Sequence, residues 1–155
     1  MTIKINCDLD GVLVDFERGF EIFYGIHPHE VPEPLMWKTI LENPQHWVNL
    51  PAMPGALRLW SKILPYQPRI ITGCPTTGHQ HAIDGKTAWC LRELGPDIEV
   101  IATYSRLKSK FIQNPGDILI DDMEKNCKRW TEAGGVAILH TSAENTIAEL
   151  EKIGL

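Results

Sequence analysis

The sequence contains no CxxC pair. Its four cysteines, Cys7, Cys74, Cys90 and Cys127, follow no zinc-ligand spacing, so reduced thiols buried near core strands are expected instead of a metal knuckle. No apolar run approaches the ~18 residues of a membrane-spanning helix. No cationic stretch leading into an apolar one opens the chain. These two absences read as a cytoplasmic, soluble protein with no membrane partner. Basic charge is not in excess either. The formal net charge is −5, which argues against a protein held to nucleic acid by bulk charge. There is no internal repeat and no low-complexity tract. With 155 residues, the chain suits one domain with room for a small insertion.

What is present is an alternation. IKINC (3–7), RIIT (69–72), IEVIATY (98–104), DILIDD (117–122) and VAILHT (136–141) read as strands. Helical patterns occupy 14–24, 55–64 (stopped by Pro65), 85–94 (ended by Gly95-Pro96), 123–134 and 142–154, the last capped by Ser142. Prolines from Pro28 to Pro54 break up the segment after the first helix, which reads as short helices and loops inserted into the sheet order. Strand–helix alternation implies an α/β fold with a parallel sheet covered on both faces.

Ligands of such sheets bind beyond the carboxyl ends of the strands. Asp8 and Asp10 end the first strand, Thr72 the second, and Asp121 and Asp122 the fourth, while Lys108 and Lys110 follow the third. The strand order alone brings these groups to one edge. Each is weak evidence singly, since Asp commonly caps helices and begins turns. Four carboxylates together require cations, and Mg²⁺ with a lysine ammonium would supply them. Such a set suits phosphoryl transfer, in which positive groups hold the phosphate oxygens while an anionic nucleophile approaches.

At these residues the sequence resembles the haloacid dehalogenase (HAD) superfamily of phosphohydrolases. DLDGVLVDF matches that family's first motif, IITG its second and ILIDD its fourth. The resemblance implies a Rossmann-like parallel sheet flanked by helices, with a small helical cap inserted after the first strand. Residues 17–50 would form the cap, and 1–16 with 51–155 the catalytic core. It implies Asp8 as nucleophile, through an aspartyl-phosphate, and Asp10 as general acid and base. Mg²⁺ would be held by Asp8, the Asp10 carbonyl and the acid pair, with Asp121 favoured as direct ligand and Asp122 direct or through water. Thr72, Gly73 and a lysine would bind the phosphate. SRLKSKF offers Lys108 and Lys110, and Lys86 lies on another element; Lys110 is preferred for its distance to the acid pair.

Within the superfamily the chain looks most like the 5′(3′)-deoxyribonucleotidases, through DGVLVDFE, LPAMPGAL, ITGCP and GKTAWCLRELGP. That implies a nucleoside pocket lined by Phe16. Gly73 falls where those relatives often carry a hydroxyl residue. Trp37 and Trp47 could stack on a base or fill the cap's own core. The pairs His27/His29 and His79/His81 sit in expected loops without further metal ligands nearby in sequence, and read as solvated or hydrogen-bonding residues. The reading is a Mg²⁺-dependent phosphomonoesterase acting on small phosphomonoesters, chiefly (deoxy)nucleoside monophosphates. Alternatives are a phosphatase for nucleic-acid ends or another small phosphometabolite. A receiver-like domain or a non-catalytic phospho-ligand binder on the same scaffold is the reading of a different class.

Overall fold

A computed structural model of the chain describes residues 2–155. Five strands run parallel: β1 (Ile5–Cys7), β2 (Arg69–Gly73), β3 (Val100–Thr103), β4 (Ile118–Asp121) and β5 (Val136–Leu139), in the order β3-β2-β1-β4-β5. Six α-helices join them: α1 (Phe16–Tyr24), α2 (Glu33–Leu41), α3 (Ala56–Ile63), α4 (His79–Glu93), α5 (Glu124–Glu132) and α6 (Ala143–Lys152). The central strands are buried along nearly their whole length because both of their faces are covered, with aliphatic runs at Ile70–Ile71 and Ile118–Ile120 and the buried Asn6 of β1 hydrogen-bonded to Arg69. Ile5, Cys7, Ile70, Ile71, Ile118, Leu119 and Ile120 are all buried. On one face they meet Phe20, Leu59, Trp60, Trp89, Cys90 and Leu150. On the other, Ile71 and Leu119 pack with Trp130 and Phe111.

The chain runs from β1 outward through β2 to β3, then crosses back to β4 on the far side of β1. The order therefore reverses at β1, where a crevice opens beyond the carboxyl ends. Register fixes its contents. Cys7 pairs with Ile70 on one side and Ile120 on the other, and Asp8 N–H donates to the Ile120 carbonyl at 2.9 Å. Asp8 thus stands level with Asp121, one position beyond the last paired residue.

Two expected boundaries move. α1 begins at Phe16, because Val14 is held in bridges to Asp10 and Ala52, and Asp15 caps the helix by accepting from Arg18 N–H at 3.1 Å. α4 begins at His79, six residues before the expected start. Gly85 lies inside this helix, where a Cβ would fall 2.5 Å from Trp47 Cβ; it is glycine to admit the indole. His79 and His81 therefore belong to the first turn of a helix, not to a loop. His79 Nδ1 bonds the Pro75 carbonyl at 3.0 Å and its ring stacks on Tyr104.

Residues 17–50 hold α1, a 3-10 turn (Pro28–Glu30), α2 and turns, with no strand. Trp89 Nε1 donates to the Leu50 carbonyl at 2.9 Å, and Phe20, Ile40, Trp47 and Leu50 join the larger core cluster. No helix among the described residues is long and apolar enough to cross a membrane.

Candidate active site

The loop after β1 turns sharply at Gly11, with φ +81° and its N–H donating to the Val14 carbonyl. A side chain there would be strained and would overlap the Asp122 carboxylate. That close approach seats the first-strand loop against the acid pair. Asp8 is 5% exposed and Asp121 fully buried. Carboxylate oxygens of Asp8, Asp121 and Asp122 lie within 4.8 Å of one another. Into this group the 3-10 turn Ser105–Phe111 delivers Lys108, whose Nζ is 2.7 Å from Asp8 Oδ1 and 2.7 Å from Asp121 Oδ2. Asp121 also accepts from Met123 N–H at 2.9 Å and from Asn126 Nδ2.

The electrostatics follow from burial. Desolvation, with the neighbouring Asp121 adding to it against the pull of Lys108, lifts Asp8 to about 8. Burial works against the charge on Lys108, but the facing carboxylates of Asp8 and Asp121 outweigh it and hold the amine above the ordinary lysine range. Burial also raises the Cys74 thiol at the cleft wall, so it is a poor nucleophile near neutral pH.

A second buried lysine completes the site. Lys86, on α4 and 2% exposed, places Nζ 2.5 Å from Asp10 Oδ2, 2.6 Å from the Gly73 carbonyl and 3.3 Å from Thr72 Oγ1. It also sits 4.7 Å over the Trp47 ring. Asp10 Oδ1 is buried without a hydrogen-bond partner.

These groups floor a cleft of about 620 Å³, whose outer wall is formed by Phe16, Trp37, Trp47 and Met53. Phe16 lies 6.5 Å from the Trp37 ring and 5.8 Å from Trp47. Asp15 and Glu17 stand at the same wall. Asp8, Asp10, Phe16, Trp37, Gly73 and Asp122 all line this cleft.

Three expected residues, Lys110, Thr72 and Asp121, do not. Lys110 is exposed, and Lys108 occupies the position expected of it. In a 3-10 turn, residues two apart point about 240° apart, so only one of the two can face the sheet. Thr72 is fully buried with its hydroxyl on Lys86; it supports the second strand end without reaching the cleft wall. Asp121, favoured as direct metal ligand, has both oxygens hydrogen-bonded to protein groups, whereas Asp122 is exposed at the cleft. Ser105 and Asn126 line the cleft and carry no sequence signal of their own.

No family model matches the chain. It is 26% identical over 147 residues to the cytosolic-type 5′(3′)-deoxyribonucleotidase of Homo sapiens, covering 79% of this chain and 72% of that protein. Its fold matches that of L-2-haloacid dehalogenase from Xanthobacter autotrophicus with a TM-score of 0.55, 14% identity and coverage of 100% and 84% of the two chains. It also matches a HAD family enzyme from Bacteroides thetaiotaomicron, in a magnesium complex, with a TM-score of 0.50, 19% identity and coverage of 90% and 94%. Sheet order, the acids at the strand ends and these likenesses agree that the chain has the haloacid dehalogenase superfamily fold, with sequence similarity to a 5′(3′)-deoxyribonucleotidase.

Proposed function

We propose that the protein is a Mg²⁺-dependent phosphomonoesterase that dephosphorylates (deoxy)nucleoside monophosphates, with residues 17–50 acting as its cap. The observation that carries the reading is a carboxylate, Asp8, buried at the crevice of a parallel sheet and flanked by Lys108 and the acid pair, at the floor of an aromatic-walled cleft.

The donor set fits a divalent cation. At the floor, the four carboxyl groups of Asp8, Asp10, Asp121 and Asp122 face only two ammonium groups, those of Lys86 and Lys108, and a cation bound there would bring Asp8 down from about 8 and hold it as an anion. All the available donors are oxygens, the type Mg²⁺ prefers. Asp8, Asp122 and the Asp10 backbone carbonyl would hold the ion, with Asp121 behind them. Bound there, Mg²⁺ would screen the carboxylates from the phosphate oxygens and let two anions approach.

The chain's own residues do the rest. Asp8 attacks phosphorus, the bond to the leaving oxygen breaks, and an aspartyl-phosphate forms. Lys108 neutralises the nucleophile's neighbour Asp121 and stays cationic throughout. Lys86 anchors Asp10 through Oδ2, which leaves the unpartnered Oδ1 to carry the proton delivered to the leaving alcohol. The same carboxylate then takes a proton from water as that water attacks phosphorus and frees Asp8.

Phe16, Trp37 and Trp47 offer flat apolar faces to a base. Asp15 and Glu17 at the same wall would repel a second phosphate, which favours a monophosphate over a nucleic-acid end.

Turnover of p-nitrophenyl phosphate and of a nucleoside monophosphate panel, with Mg²⁺ and with chelator, tests this reading. Mg²⁺-dependent release of phosphate, abolished in Asp8→Asn, is expected. A folded wild-type protein that releases none from any substrate overturns it.

A further inference from the structure

Among the described residues lining the cleft, Ser105 is the one with a hydroxyl side chain. The other candidate at this end, Thr72, is fully buried and turned to Lys86. Gly73, next along β2, reaches the cleft but has no side chain.

The reason for that glycine lies across the sheet. Its φ is not in the left-handed region, so the backbone there would accept an L-residue. A Cβ at Gly73 would instead overlap Ser105 Oγ, and would lie 3.2 Å from Ser105 Cβ and 3.3 Å from Ser105 N. Pairing of β2 with β3 fixes this approach: Gly73 is in register with Thr103, and Cys74 N–H donates to the Thr103 carbonyl at 2.7 Å. Ser105 follows two residues later, at the head of the turn that carries Lys108. The ends of β2 and β3 therefore share space for a single hydroxyl, and this chain fills it from β3.

We propose that Ser105 is a phosphate-binding residue, its Oγ–H donating to a non-bridging oxygen of the phosphoryl group that Asp8 attacks. The proposal rests on the phosphomonoesterase reading and deepens it. The hydroxyl and Lys108 come from one short turn, so the group that binds the phosphate and the group that balances the nucleophile are positioned together. A neutral donor suits this place because Lys86 and Lys108 are already committed to carboxylates.

The test is a swap in the full chain. Ser105→Ala should lower kcat/KM about tenfold to a hundredfold and weaken competitive inhibition by inorganic phosphate by a similar factor, the loss typical of a hydrogen bond to a charged group. Ser105→Gly should match it, and Gly73→Ser/Ser105→Gly, which returns a hydroxyl to the same space from β2, should recover most of the loss. Two results overturn the proposal: Ser105→Ala within about twofold of wild type in both measurements, or a folded swap variant no better than Ser105→Gly. If the swap variant does not fold, Ser105→Ala and its phosphate inhibition decide. If wild type turns over no phosphomonoester, the functional reading fails by itself, and calorimetric titration with inorganic phosphate and Mg²⁺ decides on Ser105. Weaker binding by Ser105→Ala then upholds its role, and equal binding, or none by wild type, overturns it.

Discussion

Lys108→Met is expected to be the costliest single substitution at the strand ends. The ammonium is 3% exposed and sits 2.7 Å from each of two carboxylates that are themselves 7% and 0% exposed. Methionine keeps most of the volume but leaves both acids without their cation. Removing one partner of a buried ion pair costs about 3–5 kcal/mol, because the charge left behind remains desolvated. The loss should depend on pH with a definite sign. Burial already raises Asp8 to about 8 in the presence of Lys108. Without the lysine, the folded Asp8 carboxyl rises further above its unfolded value near ~4. Groups raised in this way are harmless below the unfolded pKa and cost stability as pH rises toward the folded one. The folded variant thus keeps the Asp8 proton to higher pH than folded wild type, and above pH ~8 that extra proton widens the deficit by about 1.4 kcal/mol per pH unit. Urea unfolding of both proteins, metal-free, at about pH 7 and about pH 9.5 measures it. The deficit should be larger at the higher pH by about 2 kcal/mol, while exposed Lys110→Ala stays within about 0.5 kcal/mol at both. A deficit that does not change with pH, or a damaging Lys110→Ala beside a neutral Lys108→Met, would refute the assignment of the buried cation.

Three further outcomes are expected. His46 is fully buried, with Nδ1 bonded to Tyr24 Oη at 3.0 Å, and desolvation lowers it to about 4. Its unfolded form takes up a proton near pH ~6.5, so wild type should lose up to about 3 kcal/mol on acidification from there toward pH 4, and His46→Gln should flatten that part of the stability–pH curve. Gly11→Ala should cost about 1–2 kcal/mol from the left-handed backbone alone and, by pushing Asp122 aside, lower Mg²⁺ affinity measured by calorimetry. Trp37→Ala should raise KM for nucleoside monophosphates by about fivefold or more, the loss of one base stack, and leave inhibition by inorganic phosphate unchanged; an equal effect on both would place Trp37 in packing alone.

The acids were legible because they interrupt the pattern that surrounds them. The run ILID is aliphatic up to its last residue and INCD is buried throughout, and an acid at that point is expensive unless it is used. In a parallel sheet every strand points the same way, so acids at strand ends in the chain are neighbours in space. Fold class, the cleft's edge and the pairing of Asp8 with Asp121 and Asp122 follow from one-dimensional information for that reason. Phe16 was legible through the motif that contains it.

The structure alone decided what lies off the strands. Lys108 and Lys110 are chemically identical and two residues apart, and only the phase of the 3-10 turn against the sheet selects the first. Lys86 reaches Asp10 from the middle of α4, a helix whose start the sequence misplaced because Gly85 resembles a boundary and is in fact a gap for Trp47. Thr72 and Gly73 are neighbours in one strand, and the pleat sends their faces apart. Gly73 and Ser105 belong to strands whose register no local signal records, yet one has no side chain because the other fills its space. Sequence determined which chemistry gathers at this edge, because strand direction is a property of the chain order. Tertiary packing decided which side chain carries each role, because helix phase and strand register are set by contacts between segments far apart in the chain.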